Sequence, residues 1–139
     1  MNNKFGFILV SPQLGENIGS CARALKNFGF SNLNIVSPRD AWPNTKARMT
    51  SVGAYNIIKS AKIFNNVEEA IKKYDLIFAT SARNRDVNKK HISIVNFIKL
   101  LSKHKNSNVG IMFGPEASGL SNYDLSLSNF IIQIPTSSK

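Results

Sequence analysis

Three short stretches of the chain carry residue types that could do chemistry beside one another. The first is Gly114-Pro115-Glu116-Ala117-Ser118-Gly119-Leu120, set between near-continuous apolar runs at 109–113 and 130–134. Its two glycines permit positive φ and close backbone approach, which a planar or charged small ligand would need. The second is Thr80-Ser81-Ala82-Arg83-Asn84-Arg85, which follows the strand-like run 75–79. Small hydroxyls at the carboxyl end of a strand can bond a ligand through side chain and backbone. The third is the helical segment containing Asn17 and Arg23. At 100° per residue Arg23 lies nearly opposite the apolar stripe Ile18, Cys21, Ala22, Leu25, Phe28, so it points toward water or another molecule. Each stretch also has a plainer reading: a strand-to-helix turn, a solvated basic loop, a surface arginine and, for Asn17, a helix N-cap.

Spacing sets several other chemistries aside. There is no G-x-G-x-x-G and no G-x-x-x-x-G-K-[ST], so neither dinucleotide nor P-loop phosphate binding is signalled. His91 and His104 are far from the one cysteine, Cys21, and no H-x-x-x-H or C-x-x-C pair exists, so no metal site is expected. Glu116 stands alone, without the second carboxylate that paired acid–base chemistry needs. What remains is a group-transfer site of backbone loops, short hydroxyls and arginine.

A single cysteine rules out an internal disulfide framework and fits a reducing cytoplasm. The longest apolar runs are strand-sized, too short to cross a bilayer, and Lys4 followed by a brief apolar run makes a poor secretory signal. Lys and Arg number 18 against 8 acids, a net charge of +10. That favours a polyanionic partner, nucleic acid before a membrane surface, although frequent Lys, Asn and Ile would also follow from an AT-rich genome. Arg83, Arg85, Lys89 and Lys90 form a cationic flap whose phosphate contacts would position RNA or DNA without reading its sequence.

These residues need elements to position them. Apolar runs place strands at 5–10, 33–36, 61–64, 75–79, 109–113 and 130–134. Helices follow between them. One runs from the loop after Leu14 to a stop at Gly29; another covers one or two turns within 45–52, stopped at Gly53. Asn66 caps a third, with Val67, Ala70, Ile71 and Tyr74 as its buried stripe and Lys72 and Lys73 in its last turn. Ile94, Phe97, Ile98 and Leu101 mark a fourth at i, i+3, i+4, i+7. Ser121-Asn122-Tyr123-Asp124 is a capping box that starts a short fifth. Segment 41–56 is weakly signalled. This alternation predicts an α/β class with a mostly parallel sheet, in a single domain over residues 1–139.

Asn17-Ile18-Gly19-Ser20-Cys21-Ala22-Arg23-Ala24 resembles the first motif of the SpoU/TrmH branch of SPOUT methyltransferases. Phe113-Gly114-Pro115-Glu116 through Gly119-Leu120-Ser121-Asn122 resembles their second motif, and Thr80-Ser81-Ala82-Arg83 is similar to TrmJ-type members, which methylate a ribose 2′-hydroxyl in the tRNA anticodon loop. The likeness covers almost the whole chain in the right order. It implies S-adenosylmethionine as methyl donor, RNA (tRNA in the TrmJ type) as substrate, a trefoil-knotted fold and a homodimer with active sites at the subunit interface. Carried over by position, Arg23 is the catalytic arginine, with Asn17 beside it in the catalytic set. Thr80, Ser81, Ala82, Gly114, Glu116, Leu120 and Ile134 line or shape the cofactor pocket. The family's third motif continues past Ile134-Pro135-Thr136 into a Ser-Leu-Asn sequence and a final helix, whereas the sequence read here reaches Lys139. The expectation is therefore a C-terminally truncated domain with an incomplete knot. A catalytically silent RNA-binding remnant is the alternative function.

Overall fold

Near-continuous apolar strands can be buried on both faces only where helices cover a parallel sheet from both sides. The computed structural model, which describes residues 4–82 and 87–134, has that architecture. Seven strands, β1 (Phe5–Val10), β2 (Leu33–Val36), β3 (Lys62–Phe64), β4 (Leu76–Ser81), β5 (Lys90–Ile92), β6 (Val109–Phe113) and β7 (Phe130–Gln133), form one sheet. Their order is β3-β2-β1-β6-β4-β7-β5, and every pairing is parallel. The helices among the described residues are α1 (Gly15–Asn27), α2 (Thr45–Thr50), α3 (Tyr55–Ser60), α4 (Val67–Ile71), α5 (Ile94–Lys103) and α6 (Asn122–Ser126). The expected α/β class with a mostly parallel sheet is borne out.

Alternation along β1 sends its side chains to two cores. Ile8 and Val10 join Val67 and Ala70 of α4 and Leu125 of α6 on one face. Phe7 and Leu9 meet the opposite core, where Ile18, Ala22 and Leu25 of α1 and Ile57 and Ile58 of α3 are buried. Phe78, Val109 and Ile111 extend that second face beneath Phe97, Leu100 and Leu101 of α5. Helix starts follow the sequence signals. Asn66 accepts the Glu69 N–H at 2.9 Å and Ser121 accepts the Asp124 N–H at 3.1 Å, caps worth about 0.5–2 kcal/mol each.

Several expectations need correction. Helix α3 and strand β5 were not foreseen, because six and three residues are too few to display a period. Lys90 consequently opens a strand instead of sitting in a flap. Phe28 does not complete the α1 stripe: the helix ends at Asn27, Phe28 is the C-cap, and its side chain is 76% exposed. Gly29, at φ +82°, then turns the chain as expected. On α5 the stripe is rotated, with Phe97, Leu100 and Leu101 touching the core while Ile94 and Ile98 are exposed. Helix α4 stops at Ile71, which leaves Lys72 as its C-cap and Lys73 beyond it. Strand β4 runs two residues further than expected and takes in Thr80 and Ser81.

Candidate functional site

Parallel strands release all their carboxyl ends on one side of a sheet, and ligands collect there near the point where strand order reverses. Here β1, β6, β4 and β7 are consecutive in space although distant in sequence. The turns leaving β4, β6 and β7 share one cleft of about 790 Å³, lined by Thr80, Ser81, Ala82, residues 113–120 and Ile134. That volume is within the roughly 300–1,000 Å³ of small-molecule sites. All seven residues that the family resemblance assigns to the cofactor line it.

The loop after β6 folds on itself. The Gly119 N–H donates to the Pro115 carbonyl at 2.8 Å, Gly119 has φ +73°, and Leu120 is buried beneath. A Cβ on Gly114 would lie 2.2 Å from the Leu120 nitrogen and 2.4 Å from the Gly119 carbonyl carbon. Gly114 thus permits a close approach within its own loop. Thr80 differs from expectation: it is a strand residue, and its hydroxyl donates to the Met112 carbonyl of β6 at 3.0 Å. The Ile134 N–H donates to the Ser81 carbonyl at 2.8 Å, which joins the two turns on that side.

Glu116 ties the cleft to α1. One carboxylate oxygen accepts the Gln13 N–H at 2.8 Å; the other accepts the Leu14 N–H at 3.1 Å and the Asn17 side-chain N–H at 3.0 Å. The Gln13 side-chain oxygen answers by accepting the Ala117 N–H at 2.9 Å. Burial works to raise the Glu116 pKa, but the bonds from Gln13, Asn17 and Leu14 prevail and hold it below the usual carboxylate range. Asn17 is therefore not the N-cap. Leu14 occupies that position without a side-chain bond, and Asn17 sits inside the first turn reaching for Glu116. Gln13 was missed by the sequence reading. Its importance follows from β1 and β6 being neighbours in the sheet, a long-range fact with no local signal.

A second cleft of about 250 Å³ adjoins the first. Leu9, Pro12, Asn17, Ile18 and Cys21 line it, together with Phe113, Gly114 and Glu116, which border both. Burial pushes the Cys21 thiol up to about 11, so it remains a protonated packing group at neutral pH. Arg23 is on the exposed side of α1, as its angular position predicts, and makes no hydrogen bond or ion pair among the described residues. Lys89 and Lys90 lie at the amino end of β5, away from the cleft lining. Arg83 and Arg85 lie outside the described residues. Among the described residues no group of three His, Cys, Asp or Glu could hold a metal, and no helix is long and apolar enough to cross a membrane.

Comparison with known proteins agrees with this geometry. Residues 4–139 match the family model described as the SpoU rRNA Methylase family. A tRNA (cytidine-2′-O-)-methyltransferase TrmJ of Methanocaldococcus jannaschii is 40% identical over 135 residues, 95% of this chain and 58% of that protein. The crystal structure of TrmJ from Z. mobilis superposes with TM-score 0.88 at 40% identity, covering 95% of this chain and 59% of the other. The SpoU methyltransferase AviRb from Streptomyces viridochromogenes, solved in complex with AdoMet, shares the fold alone: TM-score 0.68 at 18% identity, over 96% and 51% of the two chains. The chain spans about half the length of the curated relatives it matches.

Proposed function

The chain belongs to the SpoU rRNA methylase family, and from that premise we propose that it is an S-adenosylmethionine-dependent ribose 2′-O-methyltransferase acting on tRNA. The observation that carries this reading is the single cleft formed by the turns after β4, β6 and β7. Its lining combines apolar side chains such as Phe113, Leu120 and Ile134 with loop backbone, small hydroxyls and one carboxylate already engaged by three N–H groups. It offers shape and hydrogen bonds without a general base, which suits a nucleoside-like cofactor. S-adenosylmethionine, when bound, supplies an electrophilic methyl group on a sulfonium.

The chain's own task is positioning. A 2′-oxygen must approach in line with the methyl, and orientation of that kind contributes much of a group-transfer rate. Arg23 would clamp a phosphate and stabilise the developing alkoxide. With a pKa above about 12, arginine is a poor base at neutral pH. Asn17, bonded to Glu116, couples the α1 segment carrying Arg23 to the cofactor loop. The outward position of Arg23 supports a homodimer in which it serves the partner's cleft, and the exposed side chains Phe28, Met49 and Val52 supply apolar surface for such a contact. We place the protein in the cytoplasm, with no metal required.

Two measurements test the proposal. Titration calorimetry with S-adenosylmethionine should show one site per chain. Nucleoside analysis of tRNA incubated with protein and cofactor should show a 2′-O-methylated nucleoside, and Arg23→Lys should lose most of that product because planar bidentate geometry is lost. Binding of tRNA without cofactor binding or methylation would reduce the protein to an RNA-binding remnant; near-normal turnover in Arg23→Lys would remove that residue from its role.

A further inference from the structure

At the end of the sheet away from the cleft, beside the amino ends of β2 and β3, lies a polar cavity of about 290 Å³. It is lined by Ser31, Asn32, Leu33, Ser60, Lys62 and Lys73. Lys62 opens edge strand β3 and Lys73 follows α4, so the topology brings two ammonium groups to one hollow. Partial burial lowers the Lys73 pKa and the charge on Lys62 lowers it further, which means the two repel. No carboxylate relieves them: the ion pairs of the described residues are Arg39–Asp40, Lys46–Glu16 and Lys72–Glu69. A lysine at a helix end usually answers the helix dipole, and a lone lysine on an edge strand guards that edge. The Lys73 ammonium also sits 5.4 Å from the centre of the Tyr74 ring, which helps to place that side chain but leaves its charge beside Lys62 without an anion among the described residues, with the Ser31 hydroxyl on the same cavity.

The surroundings have the same sign. Helices between parallel strands return their last turns to this end, bringing Lys26, Lys59 and Lys103. First-turn acids of α1, α4 and α6, Glu16, Glu68 and Asp124, lie toward the opposite end, and Glu69, next along α4, is taken by Lys72 at 3.7 Å. Asp75, an acid near the strands' amino ends among the described residues, already accepts the Asn108 N–H at 2.9 Å.

We propose that the Lys62–Lys73 cavity seats a backbone phosphate of the substrate RNA, anchoring it at the far end of the sheet from the cleft. This rests on the RNA methyltransferase reading above. A six-residue strand spans roughly 20 Å, so only a structured RNA, not a mononucleotide, touches both places at once.

The test is binding of a tRNA transcript to the full chain over a series of KCl concentrations, comparing wild type with Lys62→Ala/Lys73→Ala and with Lys62→Arg/Lys73→Arg. Each phosphate contact contributes roughly 0.7–0.9 to the slope of log K against log salt. The alanine pair should lower that slope by roughly 0.7–0.9, one phosphate's worth, and raise KM for tRNA several-fold, with kcat and cofactor affinity unchanged; the arginine pair should bind like wild type. An alanine pair that is folded by circular dichroism and keeps the wild-type slope overturns the site and leaves the methyltransferase reading standing. An arginine pair that loses as much affinity as the alanine pair also overturns it. Wild type that binds no tRNA at any salt removes the underlying reading, and the site with it.

Discussion

The same seven parallel strands end in two differently built surfaces. At their carboxyl ends the turns are tied to one another by bonds between residues 99–104 positions apart: Gln13, Leu14 and Asn17 to Glu116, and Ala117 to Gln13. The Glu116 carboxylate there is already satisfied within the protein. At the amino ends Lys62 and Lys73 share one cavity with no carboxylate paired to either among the described residues. The contrast separates two ways of preparing for a ligand. One end fixes shape in advance, so binding there need not spend affinity on ordering loops. The other keeps an electrostatic imbalance that an anion would cancel.

The largest expected effect comes from breaking the prepared shape. Gly114→Ala puts a methyl within 2.2 Å of backbone that cannot rotate away, so the loop must shift. Overpacking of this kind costs about 1–3 kcal/mol, and a displaced loop should weaken S-adenosylmethionine about a hundredfold by calorimetry, equivalent to about 2.7 kcal/mol. Gly53→Ala is the matched control. Gly53 has φ +79° and no heavy atom within 4 Å of an added Cβ, so that variant should lose about 1–2 kcal/mol in a thermal melt and keep its cofactor affinity. Equal loss of affinity in both variants would mean that general destabilisation, not loop geometry, governs binding.

Next in size is the clasp. Glu116→Gln retains one acceptor oxygen where three N–H groups now converge, and hydrogen bonds to charged groups contribute about 1.5–3 kcal/mol in sheltered sites and less where water competes. A cofactor affinity about tenfold weaker is expected, with Gln13→Ala in the same direction and smaller. The pH dependence has a defined sign. A carboxylate whose folded pKa is depressed contributes stability that is fully present above the ordinary glutamate value, about 4.3, and is lost as pH falls through the folded value. Wild-type affinity should stay flat from pH 8 to 5 and drop below that range as Glu116 protonates, whereas Glu116→Gln should show no such drop.

How much of this was legible in the sequence depended on distance along the chain. Buried strands such as β6 announce themselves by continuous apolar residues, and caps such as Asn66 and Ser121 act within three residues. Family motifs placed seven residues that all line the cleft. The clasp was not legible, because Gln13 meets Ala117 only once β1 and β6 pair. Nor was Thr80's bond to Met112, which depends on β4 lying beside β6. The lysine pair was hidden for the same reason: Lys62 and Lys73 belong to different elements, and the cationic cluster visible in the sequence was the one at residues 83–90.

The smallest effect should also have the opposite sign, and it sharpens the contrast between the two ends. Removing one of two repelling charges from a folded protein relieves strain that the unfolded chain does not feel. Exposed charge pairs are worth a few tenths of a kcal/mol, and at a few degrees per kcal/mol for a chain of this size Lys62→Gln should melt about one degree higher than wild type in dilute buffer. The gain should vanish near 1 M KCl, where the Debye length is about 3 Å. Inorganic phosphate should raise the wild-type melting temperature more than that of the variant, because only the intact pair offers a seat that the folded state can fill and the unfolded chain cannot. A rise on mutation that persists in high salt would instead point to side-chain packing on edge strand β3. A variant that melts lower than wild type at every salt would mean that the lysines hold this end together, and the distinction between a shape prepared at one end and a charge left open at the other would be lost.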